Sequence, residues 1–245
     1  MRKFVLALAF ASPALMLAAD SAQERLADAT TVFKEVMSTP DKGIPQDLLE
    51  KAHCVIIVPG MKQAAFVVGG KYGRGYAVCR RIASGGGWGA PAAVRVEGGS
   101  FGFQIGGSAT DVVMLVMNDR GMRRLLEDKF TLGAEATVAA GPVGRSTSAN
   151  TDVQLSAEIL SWSRSKGLFA GIALQGATLR PDNEANQELY GSKLTNKELL
   201  TGNVPPPPAA QELIATLSKF SYREEKDKPL ENRVKDTADR KKKDH

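Results

Sequence analysis

Between Gly69 and Gly107 short apolar runs alternate with glycines, GGKYGRGYAVCRRIASGGGWGAPAAVRVEGGSFGFQIGG, at a density that no helix tolerates. The pattern predicts strands joined by tight turns. Twenty-one of the 24 glycines fall between Gly60 and Gly176, so one continuous β-rich body is expected with helical segments on both sides of it. Upstream, Ser21-Ala22-Gln23-Glu24 is a capping box that opens an apolar series, Ala22, Leu26, Ala29, Phe33 and Val36, at helical spacing. This amphipathic helix of about four turns stops at Ser38-Thr39-Pro40. Pro45 then opens a short second helix through Lys51.

Residues 55–58 are all apolar and form a strand ended by Pro59-Gly60. Residues 64–71 and 75–81 predict a hairpin across Tyr72-Gly73-Arg74, with Lys71 and Arg74 at an exposed tip. After Ser84-Gly85-Gly86-Gly87, residues 92–97 and 100–106 predict a second pair. In the latter, Phe101, Phe103 and Ile105 share one face and Gly102, Gln104 and Gly106 the other, so a neighbouring element or a ligand approaches the glycine face closely. Residues 112–117, apolar on both faces, predict a central strand. Asn118 or Asp119 caps a short helix carrying Met122, Leu125 and Leu126. Small residues through 130–141 suit a tightly packed strand, and 153–163 with 168–179 predict a long hairpin around Arg164-Ser165-Lys166-Gly167. Helices follow at 184–190, 196–200 and 209–220, with 205–208 a polyproline spacer. The fold class is therefore α+β: a glycine-rich antiparallel β core covered by N- and C-terminal helices.

At 245 residues, 43% of them apolar, the chain supports one domain. Arg2-Lys3, an apolar run over 4–17 and the small residues Ala18 and Ala19 have the order of a secretory signal peptide, too short to span a bilayer. The division expected is a signal peptide at 1–19, a binding domain at 20–218 and a disordered, charged tail at 219–245. The chain is then exported, periplasmic or secreted. Its net charge of +5 is unevenly placed: residues 58–181 hold 14 bases against 8 acids, while 20–57 and 182–218 each sum to −3. That field suits anionic headgroups or phosphates better than a nucleic-acid duplex, which calls for a denser basic stripe. Cys54 and Cys79 are the only cysteines. In an oxidising compartment they are either a disulfide, if their strands are neighbours, or two small buried apolar residues.

Catalytic chemistry has little to work with. The two histidines are His53 and the C-terminal His245, and with two cysteines they fit no common zinc spacing. Gly98-Gly99-Ser100-Phe101-Gly102 matches the G-x-S-x-G nucleophile pattern, but Ser100 is followed by another strand where that motif needs a helix. No catalytic residue, metal or cofactor is expected. Binding remains, and Lys71, Arg74, Arg145, Arg164 and Lys166, each beside a glycine or serine in an expected turn, are the residue types that hold phosphate groups.

The ordered series GGKYGRGY (69–76), GGSFGFQIGGSATDVVMLVMND (98–119), FTLGAEATVAAGPVGR (130–145), SRSKGLFAGIALQGATL (163–179) and NQELYG (186–191) resembles the SYLF domain family over about residues 25–218. The resemblance implies a non-enzymatic domain that binds membranes, with phosphoinositides as ligands in eukaryotic members and actin in fungal ones. For an exported chain it implies anionic envelope lipids in place of cytosolic actin. The expected function is binding of anionic phospholipid headgroups at a membrane surface, the alternative being a cell-envelope assembly protein that holds a protein partner.

Overall fold

The Ser21 capping box starts a helix, as its spacing requires: the Ser21 hydroxyl accepts from the Glu24 N–H and the Glu24 carboxylate accepts from the Ser21 N–H. The computed structural model describes residues 20–39, 43–81, 87–142, 156–165, 168–171 and 174–221, and for 64–68, 100–107 and 168–171 it describes the backbone alone. The expectations for 1–19, for Arg145 and Lys166, and for the tail from 222 onward fall outside those residues.

Helix α1 spans Ala22–Ser38 and α2 spans Gln46–Lys51. Two long strands follow, β1 (Cys54–Cys79) and β2 (Ala92–Val116), paired antiparallel from Cys54↔Val116 to Ala77↔Ala92. Then come α3 (Asp119–Leu125), β3 (Phe130–Thr131), β4 (Val138–Ala140), β5 (Ile159–Ser165), β6 (Leu168–Gly171) and β7 (Thr178–Pro181). The chain closes with α4 (Asn183–Tyr190), α5 (Asn196–Thr201), a 3-10 turn at Pro208–Ala210 and α6 (Gln211–Phe220). The α+β class and the helices at both ends are as expected. The seven-stranded sheet is mixed, because β4 pairs with β5 in parallel.

Several strand boundaries differ from expectation. Residues 64–81 are not a hairpin: β1 runs straight through Tyr72-Gly73-Arg74, with Lys71 opposite Gly98 and Arg74 opposite Arg95. Residues 92–106 are likewise one strand. Gly73, expected in the turn, and Gly75, expected to open the second strand, serve instead to let β1 cross itself. A Cβ on Gly75 would land on the Ile57 carbonyl, and one on Gly73 would meet Val58 at 2.6 Å. The ribbon thus curls into a ring whose ends meet, the Arg80 N–H donating to the His53 carbonyl at 2.9 Å and Cys54 joined to Cys79 by a disulfide with Cα atoms 4.0 Å apart. Residues 130–141 form two short strands with a turn between them, where Gly133 takes a positive φ of 84°. The expected long hairpin is shorter: β5 and β6 pair through Ser165↔Leu168, whereas β7 leaves them to pair with β2 and β3.

Strand alternation splits the core into two layers. Val55, Ile57, Tyr76, Val78, Val113 and Leu115 face α1, α4 and α6. Ile56, Val58, Ala77, Val112, Met114 and Val116 face the inside of the curl, closed by Leu125 of α3 and Leu199 and Leu200 of α5. Residues 112–116 are buried throughout between β1 and β5, which is the central strand expected. The helical layer ends in a clasp: Arg80 lies 4.4 Å above the Trp88 ring and donates to the Ser221 carbonyl, and Trp88 Nε1 donates to Ser221 Oγ. Ser221 is fully buried, so packed structure continues past residue 218.

Candidate functional site

Of the five bases singled out from sequence, three are described. Arg74 sits within β1 and its guanidinium Nε donates to the Asp182 carboxylate at 2.5 Å. That carboxylate is almost wholly buried at the mouth of α4, where its other oxygen caps the Ala185 N–H. The hydrogen bond to Asp182 raises the Arg74 pKa above its ordinary value, against the pull of partial burial. Arg164 sits within β5 and clamps two elements, donating to Asp111 of β2 at 2.8 and 3.1 Å and pairing with Glu35 of α1. Burial lowers the Arg164 pKa, but the bonds to Asp111 and Glu35 outweigh it and the net shift is upward. Both arginines are therefore engaged with internal carboxylates. Lys71 is different: half-buried on β1, it has no ion pair among the described residues.

The register brings together a row that sequence reading missed. Arg74 on β1, Arg95 on β2 and Arg180 on β7 lie directly opposite one another across three adjacent strands. Like charges in that arrangement repel. Asp182 answers Arg74, and among the described residues Glu97 answers the other two, its oxygens 3.3 Å from Arg95 Nε and from Arg180 Nη1. The one sequence signal for this row is the Arg95-Val96-Glu97 alternation, which places Arg95 and Glu97 on one face.

The ribbon also leaves an arm. Beyond β1, β2 pairs with β7 over Val94–Glu97 and with β5 over Asp111–Val116. Between those stretches, residues 98–110 pair only with β1 among the described residues. The arm is glycine-rich and apolar in sequence, AAFVVGG on one strand and GGSFGFQIGG on the other. Exposed Lys62 stands at one end of it and Lys71 at the other, next to Tyr72, which at 46% is the one large apolar side chain exposed among the described residues. Gly98, where the arm begins, admits the Ala177 backbone to 3.1 Å of where a Cβ would stand, so there the close neighbour of a strand glycine is another segment of the chain.

Among the described residues the groups weighed for catalysis are engaged elsewhere or stand apart. Cys54 and Cys79 are consumed in their disulfide, with the Met122 sulfur 3.1 and 3.8 Å away. His53 Nδ1 lies 3.4 Å from Asp119 at the start of α3. Ser100 lies inside β2, opposite Gly69, and not on the strand-to-helix turn that a nucleophile elbow requires. Among the described residues no cluster of His, Cys, Asp and Glu could hold a metal ion, and no helix is long and apolar enough to cross a membrane.

Residues 97–220, from the arm to the end of α6, match the family Ysc84, described as Las17-binding protein actin regulator. The chain belongs to the Ysc84 (SYLF) family. Its relatives include the SH3 domain-containing YSC84-like protein 1 of Rattus norvegicus, 34% identical over 196 residues, which are 79% of this chain and 57% of that protein. LAS seventeen-binding protein 3 of Saccharomyces cerevisiae is 35% identical over 188 residues, 75% of this chain and 40% of that protein. Protein YSC84 of the same yeast is 34% identical over 185 residues, 74% of this chain and 39% of its own length. The chain thus spans about half the length of the Ysc84-family proteins it matches, or less. Its family is one of binding and regulatory proteins.

Proposed function

We propose that this Ysc84-family chain is a non-enzymatic binding protein that docks on anionic membrane surfaces through the β1–β2 arm. The observation that carries the reading is the arm itself: a two-stranded ribbon, glycine-rich and apolar in sequence, with no third strand among the described residues, bracketed by Lys62 and Lys71 and by exposed Tyr72. Apolar residues on such an arm would enter the interface, tyrosine suits the headgroup level, and the lysines would meet lipid phosphates. The positive surplus over 58–181 adds a long-range attraction. Each base near an anionic surface contributes about 1 kcal/mol, so the arm lysines act together with the apolar contact and not alone. The chain works outside the cytosol in this reading, and its buried disulfide suits an oxidising compartment.

The test is flotation of the chain with phosphatidylcholine vesicles of graded phosphatidylglycerol content at low and high salt. Binding that rises with anionic content and weakens with salt is expected, and the double variant Lys62→Glu, Lys71→Glu should lose it while keeping its circular dichroism spectrum. Arg74 and Arg164 are poor probes, because their replacement breaks internal ion pairs. Equal flotation of the double variant would overturn the arm assignment.

The relatives' names favour a second reading, a protein partner. It predicts indifference to lipid charge in the same flotation series, together with saturable binding to a purified protein of the chain's own compartment.

A further inference from the structure

Where β2 meets β7 and α4 begins, an open cleft of about 320 Å³ is lined by Arg95, Arg180 and Pro181 together with Asp128, Asp182, Asn183 and Glu184. We infer that this cleft binds a small zwitterion, a phosphate ester bearing a primary ammonium group, with the phosphate on the two arginines and the ammonium on Asp128 and Glu184.

The argument begins with unspent donors. A guanidinium carries five N–H groups. Arg180 uses one in a hydrogen bond, from Nη1 to Glu97. Arg95 makes no side-chain hydrogen bond among the described residues; its Nε is buried 3.3 Å from a Glu97 oxygen without a hydrogen bond, and the 30% exposure of its side chain leaves its remaining donors to meet a ligand. Two adjacent cations thus share one carboxylate. The strand register fixes them side by side, so their repulsion is built in and an added anion would relieve it. Two planar forks set on neighbouring strands match an acceptor with three or four oxygens better than a carboxylate with two.

The acidic part of the lining selects the rest of the ligand. Asp128 and Glu184 are exposed and neither has a salt bridge among the described residues. A simple anion would face their repulsion, and a simple cation would face that of the arginines. A molecule carrying both signs a few bonds apart answers a lining of both signs, and the cleft volume suits a headgroup-sized ligand. Phosphoethanolamine has that chemistry, whether free or as a lipid headgroup. The inference is independent of the arm reading, since the cleft lies at the β2–β7 pairing and not on the arm.

The experiment is a ¹⁵N-detected titration of the full chain, following arginine Nε–Hε signals, with O-phosphoethanolamine, inorganic phosphate and ethanolamine as separate ligands. O-phosphoethanolamine should shift the Arg95 and Arg180 signals and bind at least about tenfold tighter than either single-charge control, a gap of about 1.4 kcal/mol. Arg180→Gln, at a 42% exposed side chain, should keep the melting temperature and lose that affinity. Asp128→Asn with Glu184→Gln should bring O-phosphoethanolamine down to the level of phosphate. Vesicles of phosphatidylcholine with phosphatidylethanolamine, against phosphatidylcholine alone, separate the sources: competition by the former assigns a lipid headgroup, and its absence a free ligand. Equal affinity for phosphate and O-phosphoethanolamine, or unmoved Arg95 and Arg180 signals, would overturn the inference.

Discussion

Tyr76 ties α1 to the sheet, its hydroxyl donating to the Ala22 carbonyl at 2.5 Å in the buried layer under the helix. Burial pushes its pKa up to about 12 from an ordinary 10. The unfolded chain ionises this phenol first, so its contribution to stability is complete below pH 10 and is lost as pH climbs towards 12. Burial raises Tyr190 in the same direction, its hydroxyl held by the Pro91 carbonyl. Thermal melts at intervals from pH 8 to 12 should fall steeply above pH 10. Tyr76→Phe should be about 1 kcal/mol less stable at neutral pH but fall less steeply through that window; parallel curves would show that Tyr76 does not couple ionisation to folding. Arg164 offers a second test at this scale. Its side chain is 23% exposed and its guanidinium bridges Asp111 and Glu35, so Arg164→Met should cost about 1–2 kcal/mol in urea unfolding, the buried-pair penalty being discounted for solvent screening. The same variant should leave vesicle binding intact, because the arginine is spent on holding α1 against the sheet.

Among the elements, β1 carries the unusual demand. One strand pairs with β2 along its length and also crosses itself, and the crossing is possible only where side chains are absent. Gly75→Ala would set a methyl group on the Ile57 carbonyl, against backbone atoms of Ile57 and Val58. A loss of more than about 3 kcal/mol is expected, as for severe overpacking. Gly99→Ala on β2, with nothing within 4 Å of its added Cβ, is the matched control and should stay within about 0.5 kcal/mol. Urea unfolding of the pair reads the difference directly. Similar losses at both positions would mean that strand flexibility, and not the crossing, sets the cost.

For the whole molecule, the disulfide fastens the two ends of the ring. Cys54 and Cys79 are separated by 25 residues, and linking them removes about 3 kcal/mol of loop-closure freedom from the unfolded chain. Reduction, or Cys54→Ala with Cys79→Ala, should lower the melting temperature by about 5–10 °C for a chain of this size. An unchanged melting temperature would show that the two core layers close the ring unaided.

What the amino-acid sequence determined by itself is local. The Ser21 capping box, a cap at Asn118 or Asp119 and the doubly apolar run at 112–117 each depend on residues within one turn or one strand; the box is present, Asn118 is the cap, and the strand runs through Val116. The family, too, is carried by ordered short motifs. What only the tertiary structure decided is the use to which each residue is put. A strand glycine permits a turn and permits a close crossing equally well, and Gly73 and Gly75 became a crossing because Ile57 and Val58, some 15 to 18 residues earlier, pass beneath them. The arginines expected in turns have the chemistry of anion ligands, yet the partner of Arg74 is Asp182, 108 residues away, and Arg164 is held by Asp111, 53 residues away, and by Glu35. The Arg95–Arg180 pair was hidden for the same reason, since it exists only through the register of β2 on β7. Charge and conformational freedom are properties of a residue, whereas neutralisation and close approach are properties of a pair, and the pairs are made by the fold.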